Sequence, residues 1–127
     1  MISAFVSWLA WAANAHAGES DAQSQLTRGK RLYNTWCVDC HGPGPGRHGH
    51  GLTGTEALDA KYDGKVPAVL DERTDLTPAL VDYFVRNGVS LMPFFRKTEI
   101  TDAELAALGA YLSRLNAQLQ QPTNGKP

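Results

Sequence analysis

Five consecutive residues, Cys37-Val38-Asp39-Cys40-His41, carry the chemistry of this chain. Two thiols separated by two residues, followed at once by an imidazole, form the pattern by which haem is attached to a polypeptide. The two sulfurs must reach two vinyl groups on one edge of a porphyrin, and a short helical turn separates them suitably. The next residue then points at the iron. Cys37 and Cys40 are therefore the expected attachment residues of one covalent haem c, and His41 is the expected proximal axial ligand.

Other readings of the motif are weaker. Adjacent C-x-x-C disulfides tend to be redox-active rather than structural. A zinc site needs four ligands, but the chain has only these two cysteines, and beyond residue 17 only His48 and His50 remain beside His41. A thioredoxin-like dithiol is the sharpest competitor, because Trp-Cys-x-x-Cys also occurs there. That fold needs a buried strand directly before the motif. Here Gln25 to Tyr33 is polar and helix-like.

Haem iron has two axial positions. A thioether opposite an imidazole favours Fe(II) and raises the potential. Met92 is the single methionine after the first residue, lies 51 residues beyond His41 and is followed by Pro93, which would stiffen a ligand loop. Met92 lies between Gly88 and Pro93, so a loop ligand is a better reading than a helix-face core filler. His48 and His50, in the Gly/Pro-rich stretch after His41, are the rival sixth ligands.

Three helices would position these residues. The first is expected over 22 to 36, running into the motif. The second starts at Thr77-Pro78, with an N-cap threonine and proline at the first helical position, and stops at Asn87-Gly88. The third starts at Thr101 with Glu104 three residues on, a capping box. Its apolar stripe is Leu105, Leu108, Tyr111, Leu112 and Leu115. Gly29 and Tyr33 share one face of the first helix, with Leu108 and Tyr111 as natural partners. Trp36 is expected in the core. Residues 42 to 75 read as irregular, with a short helix around 55 to 61 and a turn at Asp63-Gly64. A loop this long is unusual unless its side chains pack on a rigid apolar group.

Twelve basic and 13 acidic residues give a net charge of −1, which excludes nucleic acid as the natural partner. Residues 2 to 13 are almost wholly apolar and lead to Ala15-His16-Ala17, an A-x-A pattern suited to signal peptidase. The run is short for a bilayer span, and no Lys or Arg precedes it, which weakens the signal. The expected organisation is an export signal over 1–17, one domain over 18–119 and a flexible tail over 120–127. The mature chain is expected in the periplasm without a membrane span.

The set Gly29-x-x-x-Tyr33, Cys37-x-x-Cys40-His41, Met92-Pro93 and Leu108-x-x-Tyr111-Leu112 resembles class I cytochromes c over roughly residues 28 to 115. The resemblance implies an all-α fold around one haem, with His41 proximal and Met92 distal. Val85-Arg86-Asn87-Gly88 with Met92-Pro93-x-Phe95 is similar, more narrowly, to the cytochrome subunit of p-cresol methylhydroxylase-type (alkylphenol-hydroxylating) flavocytochromes. In the family, a proline carbonyl after the motif accepts from the proximal imidazole. Here Gly49-His50-Gly51-Leu52 stands in that place, leaving Pro43, Pro45 and Leu52 as candidate acceptors.

The function expected is single-electron transfer, from a dehydrogenase or flavoprotein partner toward the respiratory chain, without catalysis by this chain itself. The alternatives are an open-haem sensor or peroxidase-like enzyme and a C-x-x-C thiol-disulfide oxidoreductase. Docking would use the surface around Cys37, Cys40 and the Met92 loop, including Phe94 and Phe95. Arg47, Arg96 and Lys97 are candidates to steer an acidic partner.

Overall fold

The computed structural model describes residues 6–44 and 51–121. Its elements are α1 (Val6–Trp36), α2 (Val38–His41), α3 (Thr53–Tyr62), a 3-10 turn (Leu70–Glu72), α4 (Pro78–Asn87), α5 (Asp102–Leu112) and α6 (Arg114–Gln120). Among the described residues the extended pairing is confined to one bridge between Val89 and Met92. The fold is all-α. Pro45, Arg47, His48 and His50 lie outside the described residues, as does most of the expected tail.

Local sequence explains most element boundaries. Thr77 caps α4 by accepting from the Leu80 N–H at 3.2 Å, with Pro78 at the first turn. Thr101 and Glu104 form the full capping box of α5. The Asp63-Gly64 turn ends α3 with both residues at positive φ. Two boundaries differ from expectation. α1 begins at Val6 rather than near 22, because the alanine-rich stretch before residue 18 contains strong helix formers and no proline. The last helix is interrupted at Ser113, whose ψ of 1° leaves the α-helical range, so Leu115 belongs to α6.

The core is built where α1 crosses α5. A Cβ on Gly29 would lie 2.1 Å from the Ala107 carbonyl oxygen and 2.6 Å from Tyr111 Cβ, so the two backbones nearly touch. Tyr33 and Tyr111 stack beside that crossing, with ring centroids 5.9 Å apart. Val81 and Val85 of α4 complete the cluster with Leu76, Ile100, Leu105, Leu108 and Leu112.

Polar contacts secure the segment between α3 and α4. Arg73, almost wholly buried, donates to Asp75 at 2.8 Å and stacks on the Tyr62 ring. Arg114 of α6 donates to Asp71 at 2.8 Å, and the Asn116 amide donates to the Leu76 carbonyl.

Candidate functional site

The Cys37–His41 segment leaves α1 without losing helical hydrogen bonding. The Cys37 N–H donates to the Tyr33 carbonyl at 2.9 Å, and the His41 N–H to the Cys37 carbonyl at 2.8 Å. Both neighbouring helices fasten this turn. The Tyr33 hydroxyl donates to the His41 carbonyl at 3.1 Å, and the Thr55 hydroxyl donates to the Gly42 carbonyl at 3.0 Å. The Tyr33 hydroxyl is therefore both a core filler and a tie. Burial, followed by the nearby Asp71 carboxylate, pushes its pKa upward and keeps it a donor.

Cys37 is half-buried and Cys40 exposed. Burial pushes the Cys37 thiol up to about 12. A reactive dithiol needs the opposite, a thiolate stabilised near neutral pH.

Burial also lowers the pKa of His41 and favours the neutral imidazole that a metal ligand requires. Its Nδ1 is buried with no hydrogen-bond partner among the described residues. Neither Pro43 nor Leu52 supplies the expected acceptor. The ring packs against the first turn of α3. A Cβ on Gly54 would lie 2.6 Å from both His41 Cε1 and Nδ1, so only glycine leaves room for the imidazole there.

Met92 lies in the non-helical segment between α4 and α5. It exchanges two backbone hydrogen bonds with Val89, at 2.9 and 3.1 Å, across a two-residue turn. Ser90 in that turn has φ 53°. Gly88, at φ 67°, has the Met92 carbonyl oxygen 2.6 Å from where a Cβ would stand. Met92 is partly buried against the same core cluster as Cys37 and Val38. The two halves of the site also meet through Trp36 and Phe95, edge to face at 5.6 Å. Trp36, the last residue of α1, is 43% exposed on the protein side. Phe94 and Phe95 differ: Phe94 is 60% exposed, while Phe95 packs on the core.

Of the three basic residues considered for steering, Arg96 pairs with Glu99 at 3.2 Å and Lys97 with Asp102 at 2.8 Å. Arg47 is outside the described residues. Arg86, part of the Val85-Arg86-Asn87-Gly88 stretch, is central to the Met92 segment. Its guanidinium donates to the Phe95 and Ile100 carbonyls and to Asp102. A cation next to a core valine was the one sequence signal of that role.

These residues suit a haem group by the chemistry of the donors. The set comprises two thiols on one turn, a neutral imidazole with Nδ1 unpaired among the described residues, and a thioether on a constrained loop. Among the described residues no three His, Cys, Asp or Glu side chains gather as they would around a bare metal ion.

Residues 24–112 match the family described as cytochrome C oxidase, cbb3-type, subunit III. The chain is also 34% identical over 106 residues to the 4-cresol dehydrogenase [hydroxylating] cytochrome c subunit of Pseudomonas putida, covering 84% of this chain and 76% of that protein. No solved structure matches. The chain belongs to this family of c-type cytochromes, whose cofactor is haem c and whose work is electron transfer rather than catalysis.

Proposed function

We propose that this chain is the electron-carrying subunit of an exported flavocytochrome. It would take single electrons from a flavoprotein partner, such as an alkylphenol hydroxylase, and pass them toward the respiratory chain. The observation that carries this reading is the Cys37–His41 turn, fastened by Tyr33 and Thr55 and packed on the same core as Met92. The similarity to a 4-cresol dehydrogenase cytochrome subunit supports the choice of partner.

In this reading Cys37 and Cys40 would hold one haem through their sulfurs, and His41 and Met92 would ligate its iron. When bound, haem c supplies one iron that gains or loses a single electron. The chain's residues keep that change small. The Tyr33 and Thr55 hydrogen bonds fix the His41 backbone, and Gly54 lets α3 close on the imidazole. With both His41 and Met92 as ligands, the iron would carry electrons rather than bind substrate. The exposed Val89, Leu91 and Phe94 beside Met92 offer an apolar surface for docking. Residues 1–17 would be removed as an export signal, giving a periplasmic mature chain near Gly18. No described helix is long and apolar enough to cross a membrane.

The test is spectroscopic. Purified protein should retain haem after denaturation in acid and organic solvent. The oxidised form should show the weak near-infrared band of a thioether–iron bond, and Met92→Ala should abolish it. Haem that is released by denaturation refutes covalent attachment. A band absent from the parent protein moves the reading to the open-haem alternative. Intact mass of the exported protein locates the cleavage, and purification with a quinoprotein instead of a flavoprotein overturns the partner.

A further inference from the structure

The segment from Gly88 to Thr101 joins α4 to α5 without helix of its own. Ile100, fully buried, and Phe95, packed on the core, anchor its second half. The polar support within the segment is slight: the Val89–Met92 pairing, a turn from Arg96 to Ile100 and the exposed Arg96–Glu99 pair, with Lys97 reaching Asp102 of α5. What closes its base comes from the end of α4. The Phe95 N–H donates to the Val85 carbonyl at 2.8 Å. The next residue, Arg86, reaches back over the segment with one guanidinium. Nη1 donates to the Phe95 carbonyl at 3.0 Å and the Ile100 carbonyl at 2.9 Å, and Nη2 donates to Asp102 at 3.0 Å. Its side chain is 18% exposed. Both polar backbone groups of Phe95, three residues after Met92, are thus held by two adjacent residues of α4.

We infer that Arg86 is the positioning residue of the Met92 segment, holding it shut when the iron is oxidised. The inference rests on Met92 being the sixth ligand. A soft thioether binds Fe(II) better than Fe(III), so in the oxidised protein the bond itself contributes least to keeping Met92 in place. The loop must then be held by something independent of the iron. The Val89–Met92 turn contains Ser90 at positive φ and stands beside Gly88, which tolerates no side chain. Such a turn does not hold itself. Arg86 is charged, planar and able to bond two carbonyls and a carboxylate at once. Its removal leaves the Phe95 and Ile100 carbonyls without that donor.

Cyanide binding to the oxidised holoprotein reads this directly, because cyanide must wait for Met92 to leave the iron. Losing one charge-assisted bond shifts such an opening equilibrium by about tenfold or more. Arg86→Gln should therefore speed cyanide binding by about tenfold or more, with Arg86→Lys falling between it and the parent. Arg114→Gln is the structural control, since it cuts the tie from α6 to Asp71 in the 3-10 turn. It should lower the urea midpoint and leave the cyanide rate unchanged. If Arg86→Gln does not accumulate, Arg86→Lys against Arg114→Gln carries the same comparison. Equal cyanide rates in the parent and the Arg86 variants overturn the inference. So does acceleration in Arg114→Gln in proportion to its loss of stability. A parent protein without the near-infrared band fails differently: it removes Met92 as ligand, and the role of Arg86 falls with it.

Discussion

The turn bearing Cys37, Cys40 and His41 and the segment bearing Met92 are held by different means. The first is helical, and Tyr33, which ties its last carbonyl, belongs to the apolar crossing of α1 and α5. The second lacks helix, and its base is closed by Arg86, a half-buried cation at the end of α4. One side is fixed by packing that only global unfolding releases. The other is anchored at Phe95 and Ile100, which pack in the core, but its stretch from Gly88 to Phe94 depends on a few directional bonds and two positive-φ residues, so that stretch can open locally while the rest stays folded. A redox site gains from that asymmetry. His41 keeps its geometry in both oxidation states, and ligand exchange, where it occurs, is confined to the Met92 side.

The comparison breaks most decisively at Gly29. Gly29→Ala places a methyl against the Ala107 carbonyl and Tyr111, where neither backbone can yield cheaply. We expect a loss of about 3 kcal/mol or more, measured by urea unfolding, with both sides of the site failing together. Gly88→Ala should cost roughly 1–3 kcal/mol from its positive φ and the Met92 carbonyl. Its mark should be local: faster cyanide binding and a weakened near-infrared band, with the visible signature of the His41 side retained. Thr101→Ala removes one half of the α5 capping box and should cost about 1 kcal/mol in the same assay, leaving the cyanide rate close to that of the parent.

The smallest effect concerns acid. Lys97, and then Arg86, hold the Asp102 carboxyl below the usual carboxylate range. A carboxyl whose pKa falls on folding adds stability above its ordinary value, about 3.9. That contribution disappears as the pH drops through the lower folded value. Asp102 is exposed, so the gain is slight. The difference in urea midpoint between the parent and Asp102→Asn should shrink as the pH falls below about 4. A difference that widens there would show that the carboxylate is not stabilised by its two cations.

The helices were legible because their signals are local. Thr77-Pro78, Thr101 with Glu104 and Asp63-Gly64 act within a few residues, and each marks the boundary it predicts. The crossing of Gly29 and Tyr33 with Tyr111 is readable because a missing side chain and a large one on one face imply a close approach, while the backbone that Gly29 meets is that of Ala107 rather than Leu108. Arg86, Thr55 and Gly54 were not readable as parts of the site. Their roles depend on which carbonyl or ring a distant segment presents, and neither periodicity nor spacing encodes that. The absence of an acceptor for His41 Nδ1 in Pro43 or Leu52 is of the same kind. The start of α1 was misplaced because an apolar leader pattern and an alanine-rich helix share the same composition.

The crossing at Gly29 also governs timing. It joins residues separated by roughly 80 positions, and closing a loop of that length costs about 4 kcal/mol of chain entropy before any contact repays it. The helices can form early, each within its own segment, but the core waits on the encounter of α1 with α5. The same glycine that lets the backbones touch therefore sits at the slowest meeting in the molecule, and the attachment motif lies inside the loop that this meeting closes.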